Sequence, residues 1–335
     1  MQQDAIIRAY VALDAPGMTT CCVIGGAGFI GSHVTRLLAN TERKVIVLGR
    51  RATPARRLPD NVSYVSGDYG NVPLLTSLLP GVDELIDLAY STVPQTSFAD
   101  PVYDIGSNLP VAVDLLKEAV SAGLKKVLLV SSGGTVYGLA RSMPIPENHP
   151  TNPVSPYGIT KLTIEKYGLM FHHNFHLPVV IVRPGNAYGE DQPPFLGQGF
   201  LSTAMHSICQ GRPIVLYGEN GTTRDYLHVS DMASGIVAAL SLGSVGETYN
   251  IGSGHGRSNR DVLHSIEPLV KKAGRRLAIE VVPHRTFDVP ANVLDATKLG
   301  TLGWQPKVAF EDGIGAMWAA ISQKYAGDER RTSQE

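Results

Sequence analysis

The sequence predicts an α/β protein, a doubly wound parallel sheet interleaved with a smaller C-terminal portion. Three observations carry this reading. Short apolar runs alternate with helical patterns through the first half, a glycine-rich turn links the first run to the first helix, and after Pro184 the pattern loosens into turn-rich sequence. Such alternation implies parallel strands covered by helices on both faces.

Taken in order, residues 20–24 read as a buried strand, the glycine turn follows, and residues 32–39 continue as a helix. Residues 44–48 repeat the strand pattern. Further apolar runs at 84–89, 126–130 and 179–182 are separated by helical patterns, chiefly 109–122 and 156–171. A large portion is therefore expected over 18–185 and a smaller one over 186–330, entered through Gly185, Gly189, Pro193, Pro194, Gly197 and Gly199. Residues 225–245 read as strand then helix and are expected to cross back to the large portion.

At 335 residues, with 43% hydrophobic and 18% charged side chains, the chain can bury a full core. Lys and Arg total 29 against 30 Asp and Glu, a formal net charge of -1, so no whole-chain field gathers polyanions and nucleic acid is not an expected partner. Among the three cysteines, Cys21 and Cys22 are neighbours in the first strand, where successive side chains point to opposite faces; they frame neither a disulfide nor a metal site. Cys209 falls on a helix. This usage fits a reducing compartment. No apolar run is long enough to span a bilayer, and the first 17 residues carry Asp4, Arg8 and Asp14, so neither a membrane partner nor a secretory signal is expected. The expected location is cytoplasmic. Residues 1–17 precede a second methionine, Met18, and no function is read from them.

Gly25, Gly28 and Gly31 make a GxxGxxG turn within VIGGAGFIGSH, directly after a strand and opening a helix. At this spacing the glycines serve a tight turn, close backbone approach to a pyrophosphate, and helix–strand packing, with the helix N-terminus facing the phosphates. A Rossmann-type site for NAD or NADP is expected. An acid at the end of the second strand would bind the ribose 2′-hydroxyl, whereas arginine accommodates a 2′-phosphate. Here the chain reads Leu48-Gly49-Arg50-Arg51. Glycine in the acid's place and two arginines after it speak for NADP; a solvated basic turn stays open, since Arg56 and Arg57 follow. Asp68, in GDYG, reads either as a ligand of the adenine amino group or as the cap of its own turn.

Tyr157 and Lys161 stand four residues apart at the start of a predicted helix in SPYGITK, on one face. A phenol holds its proton far above neutral pH and needs a nearby cation to act as a base. Lys161 supplies one, and an oxidised nicotinamide another.

With these residues in place, the chain resembles the extended short-chain dehydrogenase/reductase family of nucleotide-sugar epimerases and dehydratases. The matching pieces are GGAGFIG at 25–31, LAY at 88–90, Asn108 in the following helix, SSGGTVYG at 131–138, PYGITK at 156–161, RPGNAYG at 183–189 and RDYLHVSD at 224–231, in family order across nearly the whole chain. The pattern specifies family more sharply than substrate.

The resemblance implies a nicotinamide dinucleotide held by Gly25, Gly28, Phe29, Ile30, Gly31, Leu88, Ala89, Tyr90 and Asn108. Family resemblance speaks for NAD. Tyr157 would be the general base, and Lys161 would hold the nicotinamide ribose and lower the tyrosine's pKa. A nucleotide-sugar substrate, UDP-linked, is implied for the smaller, substrate-binding portion. Asn186 and Arg224 would contact its nucleotide, Arg224 and Arg285 would grip its diphosphate, and Asn292 would line the sugar pocket. A homodimer formed through helices 109–122 and 156–171 is implied as well.

One position departs from the family pattern. Members place Ser or Thr five residues before the glycine that closes SSGGTVYG, and that position here is Gly133. Thr135, two residues on and on the same side of an extended strand, is the expected replacement; Ser132 is second, turned the other way by alternation. The related 4,6-dehydratases carry an Asp-Glu pair where this chain has Gly134 and Thr135, which disfavours dehydration. Reversible oxidation at carbon 4 with hydride return to the other face, a 4-epimerisation of a UDP-hexose or UDP-N-acetylhexosamine, is the expected reaction. Two rivals stay open: a nucleotide-sugar reductase or dehydratase of the same family, and a catalytically silent dinucleotide-sensing protein. His172, His173 and His176 cluster near a helix end without Cys or carboxylate partners, so no metal is expected.

Overall fold

The computed structural model describes residues 17–285 and 289–332. Residues 1–16, where no secretory signal is expected, lie outside the described residues. The main sheet begins with β1 (Thr19–Ile24), β2 (Arg43–Gly49), β3 (Val62–Ser66), β4 (Glu84–Asp87), β5 (Lys126–Val130) and β6 (Val179–Pro184), all parallel, in the order β6-β5-β4-β1-β2-β3. The chain then leaves it for β7 (Asn186–Tyr188), β8 (Ile214–Tyr217) and β9 (Thr223–His228). It returns as β10 (Thr248–Ile251), which pairs in parallel with β6 as a seventh strand. Finally β11 (Gly256–Ser258), β12 (Ile279–Val282) and β13 (Ala291–Asn292) complete two small sheets: β7, β11 and β13 pair with β9, and β12 pairs with β8.

The helices are α1 (Phe29–Ala39), α2 (Val72–Leu78), α3 (Pro94–Ala99), α4 (Pro101–Ser121), α5 (Pro156–Phe175), α6 (Phe200–Cys209), α7 (Val229–Leu242), α8 (Asn259–Lys272), α9 (Thr297–Gly300) and α10 (Phe310–Thr332). Two of the core clusters lie on opposite faces of the main sheet. Cys22, Ile24 and Ile46 point to the side covered by Leu115 and Leu116 of α4 and Ile164 of α5; Cys21, Val23 and Val45 point to the side covered by Val34 of α1 and by Met232, Ile236 and Leu240 of α7. Continuous apolar strands are what a sheet buried on both faces requires. A third cluster, around Met205, Ile266 and Met317, belongs to the smaller C-terminal part.

Three differences from the expectation bear on the site. Helix α4 starts at Pro101 rather than 109, because Asp100 accepts from the Tyr103 N–H as an N-cap and Pro101 fits the first turn. Its opening turns escaped the periodicity because Val102, Tyr103 and Ile105 are exposed. Helix α1 opens at Phe29, inside the glycine turn. Strand β5 ends at Val130, and residues 133–137 form turns instead of continuing extended. Among the described residues, no helix is long and apolar enough to cross a membrane.

Candidate active site

The turns after β1, β4, β5 and β6 converge at the carboxyl ends of the parallel strands, the place where open α/β sheets bind ligands. They line one cleft of about 910 Å³ that runs on between the main sheet and the smaller part.

At one end lies the glycine cradle. Gly25 has φ +77 and donates its N–H to Leu48 O at 2.9 Å, which sets the tight turn. A Cβ at Gly31 would sit 2.2 Å from Gly25 O, so any larger residue would push α1 off the turn. Gly28 caps α1 with no side-chain hydrogen bond, and no acid stands in the first turn. The positive pole of the helix is thus left to a diphosphate. A nicotinamide dinucleotide fits this cradle, and Gly25, Gly28, Phe29, Ile30, Gly31, Leu88 and Tyr90 all line the cleft.

Other expected cofactor residues stand elsewhere. A Cβ at Gly49 would lie 2.7 Å from Tyr64 Oη, which donates to Arg51 O at 2.8 Å. Arg50 and Arg51 are exposed beside that contact, outside the cleft lining. Asp68 is exposed and accepts from the Gly70 N–H at 2.8 Å, the turn-capping alternative. Asn108 is buried; it accepts from the Ser91 N–H at 2.8 Å and donates to Asp104 O at 2.8 Å, so it fixes the loop after β4 from behind. Ala89 donates its N–H to Asp87 Oδ1 at 3.1 Å and does not line the cleft.

Helix α5 presents the candidate catalytic pair. Ser155 caps it by accepting from the Gly158 N–H, and Tyr157 and Lys161 face the cleft one turn apart. The Lys161 ammonium donates to Val130 O at 2.9 Å, over the end of β5. Burial pushes Lys161 down to about 8, against the raising influence of Asp87, Glu165 and Asp104. Burial in turn lifts Asp87 to about 6, and Lys161 opposes that rise. The Tyr157 phenol is held well above its ordinary value, first by burial and then by Asp104, while a hydrogen bond from Ser132 works the other way.

Behind this pair lies an arrangement the sequence reading missed. Arg183 of β6 grips Glu165 of α5 through Nη2 at 2.6 Å and Nε at 3.0 Å, both side chains buried, and Ser131 donates to the same carboxylate. Its signal was present: Glu165 stands four residues after Lys161 on the same helical face.

The turn after β5 changes the geometry on which the choice of replacement hydroxyl rests. Because residues 133–137 are not a strand, alternation does not apply. The N–H groups of Thr135 and Val136 both donate to Ser132 O, and Ser132, not turned away, lines the cleft, where it draws the Tyr157 phenol down against burial. Thr135 lines the cleft as well, with its Oγ1 buried and unpartnered.

Toward the far end, Asn186, Arg224 and Arg285 line the cleft together. Arg224 donates to Val289 O at 2.7 Å and to Thr223 O at 2.9 Å, and the Arg285 guanidinium lies 3.7 Å from the Tyr217 ring centroid. Arg212 and Tyr217 line the same region and carried no motif by which to find them. His228 pairs with Ser230 and Glu190. Asn292 is a second correction. Only 1% exposed in β13, it lies outside the cleft lining and donates to Gly133 O at 2.9 Å, because pairing with β9 turns it toward the β5 turn. Among the described residues, no cluster of His, Cys, Asp or Glu could hold a metal ion.

The model of the NAD dependent epimerase/dehydratase family matches residues 21–252. UDP-glucose 4-epimerase of Mycolicibacterium smegmatis is 33% identical over 300 residues, 87% of this chain and 95% of the relative. Among solved structures, UDP-glucose 4-epimerase of Thermotoga maritima with UDP-glucose has a TM-score of 0.85 at 28% identity, covering 91% of this chain and 99% of that one. The Thermus thermophilus UDP-glucose 4-epimerase in complex with NAD has a TM-score of 0.83 at 31% identity, covering 90% of this chain and 99% of that one.

Proposed function

The chain belongs to the NAD dependent epimerase/dehydratase family, and on that footing we propose that it is a nucleotide-sugar 4-epimerase acting on a UDP-hexose or UDP-N-acetylhexosamine. The observation that carries the reading is the placement of Tyr157 and Lys161 in one cleft with the glycine cradle, at the carboxyl ends of the same sheet. The bound nicotinamide supplies a hydride acceptor that becomes the donor on return.

The residues of the chain do the rest. Tyr157 takes the proton of the 4-hydroxyl as the carbon–hydrogen bond breaks, and returns it when hydride comes back to the other face of the keto sugar. Lys161 stabilises the phenolate through its charge and orients the ribose. Asn186, Arg224 and Arg285 hold the nucleotide diphosphate at the far end of the cleft, so the sugar lies over Tyr157. Gly134 and Thr135 stand where a dehydratase would need its proton-shuttling acids, which is why epimerisation is preferred to dehydration.

Gly49 leaves no acid to repel a 2′-phosphate, and Arg50 and Arg51 lie exposed beside it; we read the adenosine end as admitting NADP as well as NAD. The outward face carrying Val102, Tyr103, Ile105, Ile159 and Tyr167 on α4 and α5 is read as the surface of a homodimer. Incubation with UDP-galactose, and separately with UDP-N-acetylgalactosamine, should form the 4-epimer of at least one without consuming added cofactor, and Tyr157→Phe should abolish this. Stoichiometric oxidation of reduced cofactor would instead indicate a reductase.

A further inference from the structure

We propose that Asp104, a buried carboxylate on α4, is a positioning residue of this site: its hydroxyl partners fix the wall against which Lys161 and Tyr157 stand, and its charge balances that of Lys161. The catalytic part of this role rests on the epimerase reading.

Asp104 is 0% exposed and lies outside the cleft lining, so it can act only through its neighbours. A carboxylate so placed persists only where hydrogen bonds replace its water. Among the described residues, the donors to its side chain are all hydroxyls: Thr160 reaches Oδ2 at 2.6 Å, while Thr92 and, more loosely at 3.4 Å, Tyr90 reach Oδ1. Each donor borders the chemistry. Thr160 directly precedes Lys161 on α5, and Tyr90 and Thr92 line the cleft from the loop after β4. The Tyr90 ring in turn carries the Lys161 ammonium on its face, 4.1 Å from the centroid, and meets the Tyr157 ring at 4.9 Å. One turn further along α4, Asn108 donates to the Asp104 carbonyl at 2.8 Å and accepts from the Ser91 N–H of the same loop. The carboxylate therefore ties α4, α5 and the loop after β4 at one buried point.

The charge has an effect of its own, separate from the packing. Asp104 favours the protonated form of both Tyr157 and Lys161, working with burial at the phenol and against it at the ammonium. Lys161 draws Tyr157 toward phenolate, and Asp104 pushes it back. A base that must take a proton and then return it works best between two such pulls. The charged and titratable groups facing Tyr157 are Lys161 on its own helix, Asp104 on α4 and Tyr90 after β4; Asp87 of β4 and Glu165 of α5 face Lys161.

The test compares wild type, Asp104→Asn and Thr160→Val, each loaded with NAD and each paired with the same protein carrying Tyr157→Phe. The difference in tyrosinate absorbance then reads Tyr157 alone and needs no substrate. Asp104→Asn is isosteric and keeps an oxygen for the Thr92 and Tyr90 hydroxyls, whereas Thr160→Val removes one buried donor and leaves the charge. Asp104→Asn should lower the titration of Tyr157 by about one pH unit, and Thr160→Val should leave it in place. With UDP-galactose, the acid limb of kcat should move down by the same step in Asp104→Asn, and the plateau should fall by about threefold, the mark of a weaker base, at unchanged KM. A Tyr157 titration that stays put in Asp104→Asn, or moves equally in Thr160→Val, would overturn the assignment. If Asp104→Asn does not fold, Asp104→Leu combined with Thr160→Val exchanges the charge and a donor for apolar groups and is read against Thr160→Val by the same outcomes. A lowered titration in Asp104→Asn when the wild type turns over no sugar nucleotide would overturn the epimerase reading and uphold the place of Asp104.

Discussion

The Lys161 ammonium stands 4.1 Å from the ring centroid of Tyr90 and 5.9 Å from that of Tyr157, whose two rings meet edge to face at 4.9 Å. One buried cation thus faces both aromatic rings of the candidate catalytic cluster, and the contact with Tyr90 holds it there. Lys161→Met should lower kcat by about 100-fold or more near neutral pH. Since the lost charge no longer favours the phenolate, the residual rate should climb with pH over a range where the wild type is level. A pH–rate profile of the two proteins checks this.

Burial, opposed first by Asp87, sets the titration of that lysine in the cofactor-free protein. Lys161 is pushed down to about 8, so between that value and the ordinary ~10.4 the folded chain binds fewer protons than the unfolded one. Its contribution to stability is therefore complete above the unfolded value and lost as pH falls through about 8. Asp87→Asn removes a raising influence and should move the lysine midpoint lower still. Isotope-edited NMR of the lysine side chains reads the midpoint directly; a midpoint at or above the wild-type one would contradict the arrangement.

Glu165→Gln should cost about 3–5 kcal/mol in denaturant unfolding, because it strands the buried Arg183 guanidinium. The same substitution frees Ser131 at the end of β5, so activity should fall in the surviving folded fraction as well. Circular dichroism in urea, compared with kcat at low temperature, separates the two effects.

At the adenosine end, the wild type should bind NADP within about tenfold of NAD, and Arg51→Asp should weaken NADP by about tenfold or more while sparing NAD. Calorimetric titration with each dinucleotide measures this without turnover.

Much of this architecture was readable in the residues. The apolar runs of β1, β2, β5 and β6 are buried on both faces, so their pattern was continuous and unambiguous, and the glycine spacing and the Tyr157 to Lys161 step are local signals. What escaped was non-local or backbone-determined. The first turns of α4 were hidden because their apolar residues face outward. Ser132 was assigned the wrong direction because no residue announces that the chain turns after Val130 instead of staying extended. Asn292 could be placed only by knowing that β13 pairs with β9, and Tyr217 stands on β8, which pairs with the equally distant β12, with Arg212 just before it.

The return of β10 to the edge of β6 has a consequence for biogenesis. During synthesis β6 emerges more than sixty residues before its neighbour, so an unpaired row of backbone donors and acceptors stays open until Thr248–Ile251 arrives. Asn250 then closes that edge, accepting from Tyr137 and donating to Ile145 O and Asp295 O. A fragment ending near residue 185 would keep the sticky edge permanently, and should self-associate rather than behave as an independent folding unit.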